Sequence, residues 1–179
     1  KIDCYFMIIR KQQKNLLIIS VMCLMTCLAH AVNTFGYVEK VRINPGNTTL
    51  KAKLDTGAVS ASLNAINIKI INKGTQKWVH FDVPQSEGVM HLERKLVKFV
   101  GIKKRYSEKK GALKHPLTLR PVVKMQLTLG CETKNIDVNL ANRQTFNYPL
   151  LLGRKALIMF KVAVNPSKTF VSTLKEHGC

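Results

Sequence analysis

Acid is scarce in this chain: its 179 residues hold 10 Asp and Glu against 29 Lys and Arg, a formal charge of +19. Aromatic residues make up only 7%. The basic runs, "RKLVK", "KKRYSEKK" and others, are spread along the chain without the aromatic stacking pattern of a nucleic-acid surface. No His-Glu-x-x-His segment occurs, which removes the usual helical zinc-protease site. No glycine-rich loop ends in Lys-Ser or Lys-Thr, which removes the common nucleotide-phosphate cradle. His80, His91 and His115 stand apart on strand-like or loop segments, without ligand spacing, so no metal is expected. Internal repeats and low-complexity tracts are absent as well, while an apolar fraction of 46% is that of a folded protein.

The longest apolar run, "NLLIISVMCLMTCLA", follows Arg10, Lys11 and Lys14 and ends near "AHA", Ala29 to Ala31. Basic residues, an apolar stretch and small residues at a cleavage point are the three parts of a secretory signal. The run is short for a membrane span and passes quickly into polar sequence, which makes an uncleaved anchor the lesser reading. Residues 1–31 are therefore expected to be a signal peptide and 32–179 a single exported domain, of the periplasm in a Gram-negative type of cell. That domain keeps 25 basic and 9 acidic residues, a charge of +16. Such a charge favours contact with an anionic envelope surface or acidic peptides, and export removes nucleic acid as a partner. Of five cysteines only Cys131 and Cys179 lie beyond the signal; an oxidising compartment allows them one bridge or two free thiols.

Beyond the signal the periodicity is that of strands. "FGYVEKVRI" alternates, and "TTLKAKL" puts Leu50, Ala52 and Leu54 on one face with Lys51 and Lys53 on the other. "INIKII" and "KWVHFDV" flank the turn residues "NKGTQ", with Trp78 expected in the core. "MHLERKLVKFV" is a further strand, and the basic stretch 103–114 reads as a long exposed loop. "LTLRPVVKMQLTLG" and "KNIDVNL" form a hairpin around Gly130 and Cys131, Pro121 marking an edge or a bulge. "YPLLLG" is a short buried strand, "RKALIMF" the one convincing helix, and "KTFVSTL" the closing strand. Many short strands with one short helix predict an all-β barrel or sandwich.

The chemistry gathers at "LDTGA", Leu54 to Ala58. A strand fixes the backbone direction before Asp55, and Gly57 allows a sharp turn beside the carboxylate. Asp, Thr and Gly are also ordinary turn residues, so the tripeptide alone is compatible with a simple strand end. One carboxylate does not hydrolyse an amide. Two held a few ångströms apart share a proton, the charged one activating water and the protonated one polarising the carbonyl. Asp82 and Asp137 lie within strands without a following glycine. A second Asp55, from a second copy in a symmetric homodimer, is then required.

Together, "KAKLDTGAVSASLNA" and the later "NYPLLLGRKAL" resemble the retropepsin-like aspartic proteases. The match is nearer to a bacterial branch often labelled ATP-dependent zinc proteases. It is carried by Lys53 to Ala58, Ser60 to Leu63, Arg120 to Val123, Asn142 with Arg143, Leu151 to Arg154 and Val164 to Pro166. The resemblance implies a small barrel with one short C-terminal helix, and peptide-bond hydrolysis without cofactor. It further implies that Asp55 is the catalytic carboxylate, with Thr56 bonding across the dimer axis and Gly57 and Ala58 lining the substrate channel. Leu151, Leu152 and Gly153 would support the loop from behind, and Arg154 would lock the start of the helix. Val59 replaces the acid that retroviral relatives offer this arginine, and Asn165 replaces an aspartate. No glycine-rich flap is evident, which leaves "PQSEGVMHLE" and the loop 104–114 as candidate covers. An exported aspartic endopeptidase is the favoured function. The alternatives are a non-catalytic module that binds extended peptides in the cell envelope and an adhesin driven by charge.

Overall fold

The structure, a computed structural model, describes residues 33–86, 88–103, 117–172 and 174. The chain divides into two compact units, 1–32 and 33–179, and every described residue belongs to the second. The expected signal, the basic loop 104–114, His115 and Cys179 lie outside the described residues.

Among the described residues ten strands and one helix follow in order: β1 (Asn33–Asn44), β2 (Thr48–Asp55), β3 (Ala61–Asn64), β4 (Ile66–Lys73), β5 (Gln76–Gln85), β6 (Gly88–Lys103), β7 (Leu117–Leu129), β8 (Glu132–Ala141), β9 (Leu150–Gly153), α1 (Arg154–Met159) and β10 (Val162–Thr169). Strands β1, β2, β9, β3, β8 and β7 pair in that order, and β7 returns to β1 through Val41–Leu129 and Ile43–Leu127. Six strands therefore close a barrel, which removes the open edge that a sheet of this size would otherwise expose. From β7 the sheet runs on through β6, β5 and β4 as an antiparallel extension. The architecture is the all-β barrel with one short C-terminal helix that the sequence predicts.

Alternation decides which faces point inward. In β2, Leu50, Ala52 and Leu54 are buried, while Lys51 is exposed and Lys53 half-buried. The barrel fills with such positions from every strand, among them Val41, Leu63, Met125, Leu127, Leu140, Leu150 and Leu152. Each fully buried leucine contributes about 2 kcal/mol of transfer free energy. The α1 helix closes the barrel by turning Ala156 and Leu157 inward, and Phe160 just beyond it is buried too.

Two expectations are corrected. The closing strand is Val162–Thr169, beginning six residues before "KTFVSTL". Asn165 and Pro166 lie inside it; among the described residues β10 pairs only with β1, and an edge strand tolerates a proline. Trp78 is half-exposed rather than core, because its neighbours Val79 and Phe81 take the inward positions of β5 and Lys73 lies over the indole ring at 5.3 Å. The edge or bulge expected at Pro121 has its counterpart in the structure, where Pro121 is buried opposite Phe99 of β6. Its surroundings explain the tolerance. The ladder with β8 begins only at Val122, and β6 carries a register shift between Leu96 and Lys98.

Cys131 is disulfide-bonded, and the chain's other cysteines all lie outside the described residues.

Candidate active site

Asp55 is the last residue of β2, at the rim of the barrel. Parallel pairing with β9 sets Leu54 beside Leu152 and Asp55 beside Gly153, so the strand's end is fixed by backbone bonds on a buried partner. The chain then turns tightly. The Ala58 N–H donates to the Asp55 carbonyl at 3.2 Å, and the Gly57 N–H donates to Asp55 Oδ1 at 3.0 Å. From behind, the Arg154 N–H donates to the Ala58 carbonyl at 2.8 Å and the Lys155 N–H to the Val59 carbonyl at 3.2 Å. The first turn of α1 thus spends two backbone donors, which a helix start leaves unpaired, on the Asp55 loop.

Gly153 makes this contact tight. A Cβ there would lie 2.7 Å from the Ser60 carbonyl oxygen and 2.9 Å from that of Ala58. The backbone at Gly153 is extended, so the requirement is for space and not for an unusual dihedral. Leu152 and Gly153 are buried and Leu151 half-buried, all on β9, the strand that pairs beside the one carrying the loop. Arg154 contributes its backbone; its side chain is exposed and has no ion pair among the described residues. Thr56 and Gly57 are exposed and Ala58 half-buried, facing away from the barrel interior.

The carboxylate has a neighbour that the motif does not announce. Lys53 Nζ stands 3.2 Å from Asp55 Oδ2. Both side chains leave the same, outward face of β2, two residues apart. Partial burial pushes the Asp55 carboxyl up, and this is outweighed by the Lys53 ammonium and by the Gly57 and Ala58 amides, so its pKa lies below the ordinary carboxylate value.

Two arginines complete the surroundings. Arg143 follows the end of β8 and is only 8% exposed. Its backbone N–H donates to Asn64 Oδ1 at 2.6 Å, its Nε–H to the Tyr148 carbonyl at 3.5 Å, and its guanidinium lies 4.4 Å from the Phe146 ring centre. Arg120, half-buried on β7, donates to Asn139 Oδ1 at 3.4 Å. Burial, then repulsion from Arg120, lowers the Arg143 pKa, and the Asp55 charge works against both. Burial lowers that of Arg120. Neither guanidinium joins an ion pair among the described residues. Both belong to short motifs legible in the sequence, "RPVV" and "NR", yet nothing local in those motifs says that they converge on Asp55.

The histidines lie elsewhere. A surface concavity of about 610 Å³ over β4, β5 and β6 includes His80 and His91, but no residue of the Asp55 loop. Each faces a carboxylate on the adjoining strand, His80 that of Glu93 and His91 that of Asp82 at 2.7 Å. Among the described residues no group of three or more His, Cys, Asp or Glu side chains is placed to hold a metal.

Comparison with known proteins agrees with this geometry at the level of the family. A crystal structure of a protein of unknown function from Legionella pneumophila superposes with a TM-score of 0.67 and 41% identity, covering 80% of this chain and all of that one. Curated relatives include a probable alpha-L-glutamate ligase of Shewanella pealeana, 29% identical over 74% of this chain, and one of Parasynechococcus marenigrum, 30% identical over 68%. The matched stretch makes up 28% and 25% of those two proteins, so the chain spans about a quarter of their length. Residues 34–175, from the first barrel strand to beyond the last, match the description of the retropepsin-like aspartic endopeptidase RimB. With the Asp-Thr-Gly loop at the barrel rim and the Leu-Leu-Gly strand and helix start behind it, the chain belongs to the RimB-like family of retropepsin-like aspartic endopeptidases.

Proposed function

We propose that the chain is an aspartic endopeptidase that works as a homodimer, with one Asp55 from each copy. The supporting observation is the construction around that residue: a half-exposed carboxylate at the barrel rim, at the end of a strand paired to β9 and on a loop whose Ala58 and Val59 carbonyls accept two N–H groups from the start of α1. Brought face to face across a two-fold axis, two such carboxylates cannot both stay ionised. The ionised one takes a proton from water as the water attacks the peptide carbonyl, and the protonated one donates to the carbonyl oxygen. Collapse of the tetrahedral intermediate then expels the amine, which leaves with a proton from the pair. Thr56 is assigned to hold the two loops together across the axis, and Gly57 with Ala58 to border the bound peptide.

The acid shortage of the domain favours an acidic substrate, since its +16 attracts anionic peptides at long range. The names of the curated relatives point the same way, because a glutamate ligase makes glutamate-containing products. The ligase activity itself is assigned to the remaining three-quarters of those proteins, as the matched segment carries the Asp-Thr-Gly loop. Residues 1–31 are assigned to a signal that directs the domain to the periplasm.

The test compares the full chain with Asp55→Asn on a mixed peptide library at acidic and neutral pH. Cleavage by the unaltered protein and none by the variant supports the reading. Binding without cleavage by both would instead favour the peptide-binding module, and equal cleavage by both would place the chemistry away from Asp55.

A further inference from the structure

Arg120 and Arg143 carry two positive charges into a half-buried region without an acid among the described residues to meet them. A guanidinium offers five N–H donors. Arg143, nine-tenths buried, uses one of them at 3.5 Å, and Arg120 uses one at 3.4 Å, both on neutral oxygens. Desolvating a cation without a counter-ion is unfavourable, and desolvating two that repel each other is more so. Structure elsewhere in the molecule resolves such tension: Lys53, Lys73, Lys124 and Lys134 each meet a carboxylate within 4 Å.

The fold holds the two arginines in place. The β7–β8 register, Val122 opposite Asn139, carries Arg120 toward the end of β8, where Arg143 follows. Asn139 ties Arg120 to the Asp55 side of the barrel, because its Nδ2 donates to the Ala61 carbonyl at 2.5 Å and to Ser60 Oγ at 3.3 Å. Asn64, at the end of β3, fixes the Arg143 backbone. The Phe146 ring covers one face of its guanidinium, leaving the in-plane donors for a ligand. The same β3 pairs with β9, the strand that flanks Asp55, which places Arg143 on the Asp55 side of the barrel.

We propose that Arg120 and Arg143 form a carboxylate-binding subsite beside Asp55, which grips an acidic side chain of the substrate next to the bond that is cut. The subsite rests on the reading of Asp55 as the peptide-cleaving group, and it sharpens the general preference of a basic protein into a positional one. Planar guanidinium donors match a carboxylate in pairs, so glutamate or aspartate is selected over its amide counterpart. A glutamine would leave at least one arginine donor facing an amide N–H, with the buried positive charge unanswered.

The experiment uses the full chain in two assays. In the first, a library of end-capped octapeptides is digested and the residues flanking each cut are read by mass spectrometry. The unaltered protein is expected to favour Glu or Asp over Gln or Asn at one fixed position by at least about tenfold, the effect of one charged hydrogen-bonded contact. Arg143→Gln and, independently, Arg120→Gln are expected to reduce that ratio toward unity. Lys168→Gln, which removes a remote surface charge, is expected to leave it intact. In the second assay, Asp55→Asn protein and its Arg120→Gln double variant are titrated calorimetrically with capped tetraglutamate and tetraglutamine. Tighter binding of tetraglutamate, lost in the double variant, supports the subsite even if no peptide is ever cut, which would sink the protease reading alone. Cleavage without amide discrimination, or discrimination that survives both arginine variants, overturns the subsite and leaves the protease standing. Equal binding of the two peptides by the Asp55→Asn protein also overturns it.

Discussion

At the scale of single residues, the Asp55 environment depends on a lysine two positions upstream. The alternation of "TTLKAKLD" already puts Lys53 and Asp55 on one face, so their meeting was legible once the strand was recognised. The consequence for catalysis has a definite sign. Lys53 helps to hold the Asp55 carboxyl below its ordinary pKa, so the general base stays ionised into more acidic solution. Lys53→Met is expected to move the acidic limb of the kcat/KM profile to higher pH; a limb that stays in place or moves to lower pH would show that the ammonium does not act on the catalytic pair. Gly153 supplies a steric prediction at the same scale. Gly153→Ala drives a methyl against the Ser60 and Ala58 carbonyls, and is expected to cost about 1–3 kcal/mol of stability by overpacking. Activity should fall further than stability alone explains, because the displaced carbonyls are those that hold the Asp55 loop, and kcat measured well below the melting temperature checks this.

Among the secondary-structure elements, periodicity identified most strands because their inward positions are consistently apolar, as Leu50, Ala52 and Leu54 of β2 show. It misplaced β10, an edge strand that holds Asn165 and Pro166 within it. It was silent on the attachment of the C-terminal segment, which depends on an acid inside a strand. Glu39 of β1 is fully buried. Its carboxyl accepts the Gly36 N–H at 2.6 Å, the Val171 and Ser172 N–H groups at 3.0 Å each, and the Ser172 hydroxyl at 2.7 Å. No local pattern distinguishes Glu39 from a surface acid, since three of its four donors lie about 130 residues away. Glu39→Ala leaves those donors without an acceptor and is expected to destabilise the fold by about 3 kcal/mol or more in a denaturant titration. A loss under about 0.5 kcal/mol would mean that the clasp adds nothing beyond an ordinary surface contact.

For the whole molecule, the barrel and its Asp-Thr-Gly loop were legible because several short motifs stand in the same order as in the family. The convergence of Arg120 and Arg143 on that loop was not, because it depends on how β7 and the end of β8 meet after the chain has folded. The claim on which the mechanism depends concerns two molecules and not one: each copy supplies half of the acid pair. Mixing tests this most directly. Unaltered protein and Asp55→Asn are combined in equal amounts, allowed to exchange subunits, and assayed for peptide cleavage at constant total concentration. If the active species needs an Asp55 from both copies, random pairing leaves about a quarter of the original activity. If about half remains, each copy acts alone and the paired-carboxylate account is contradicted.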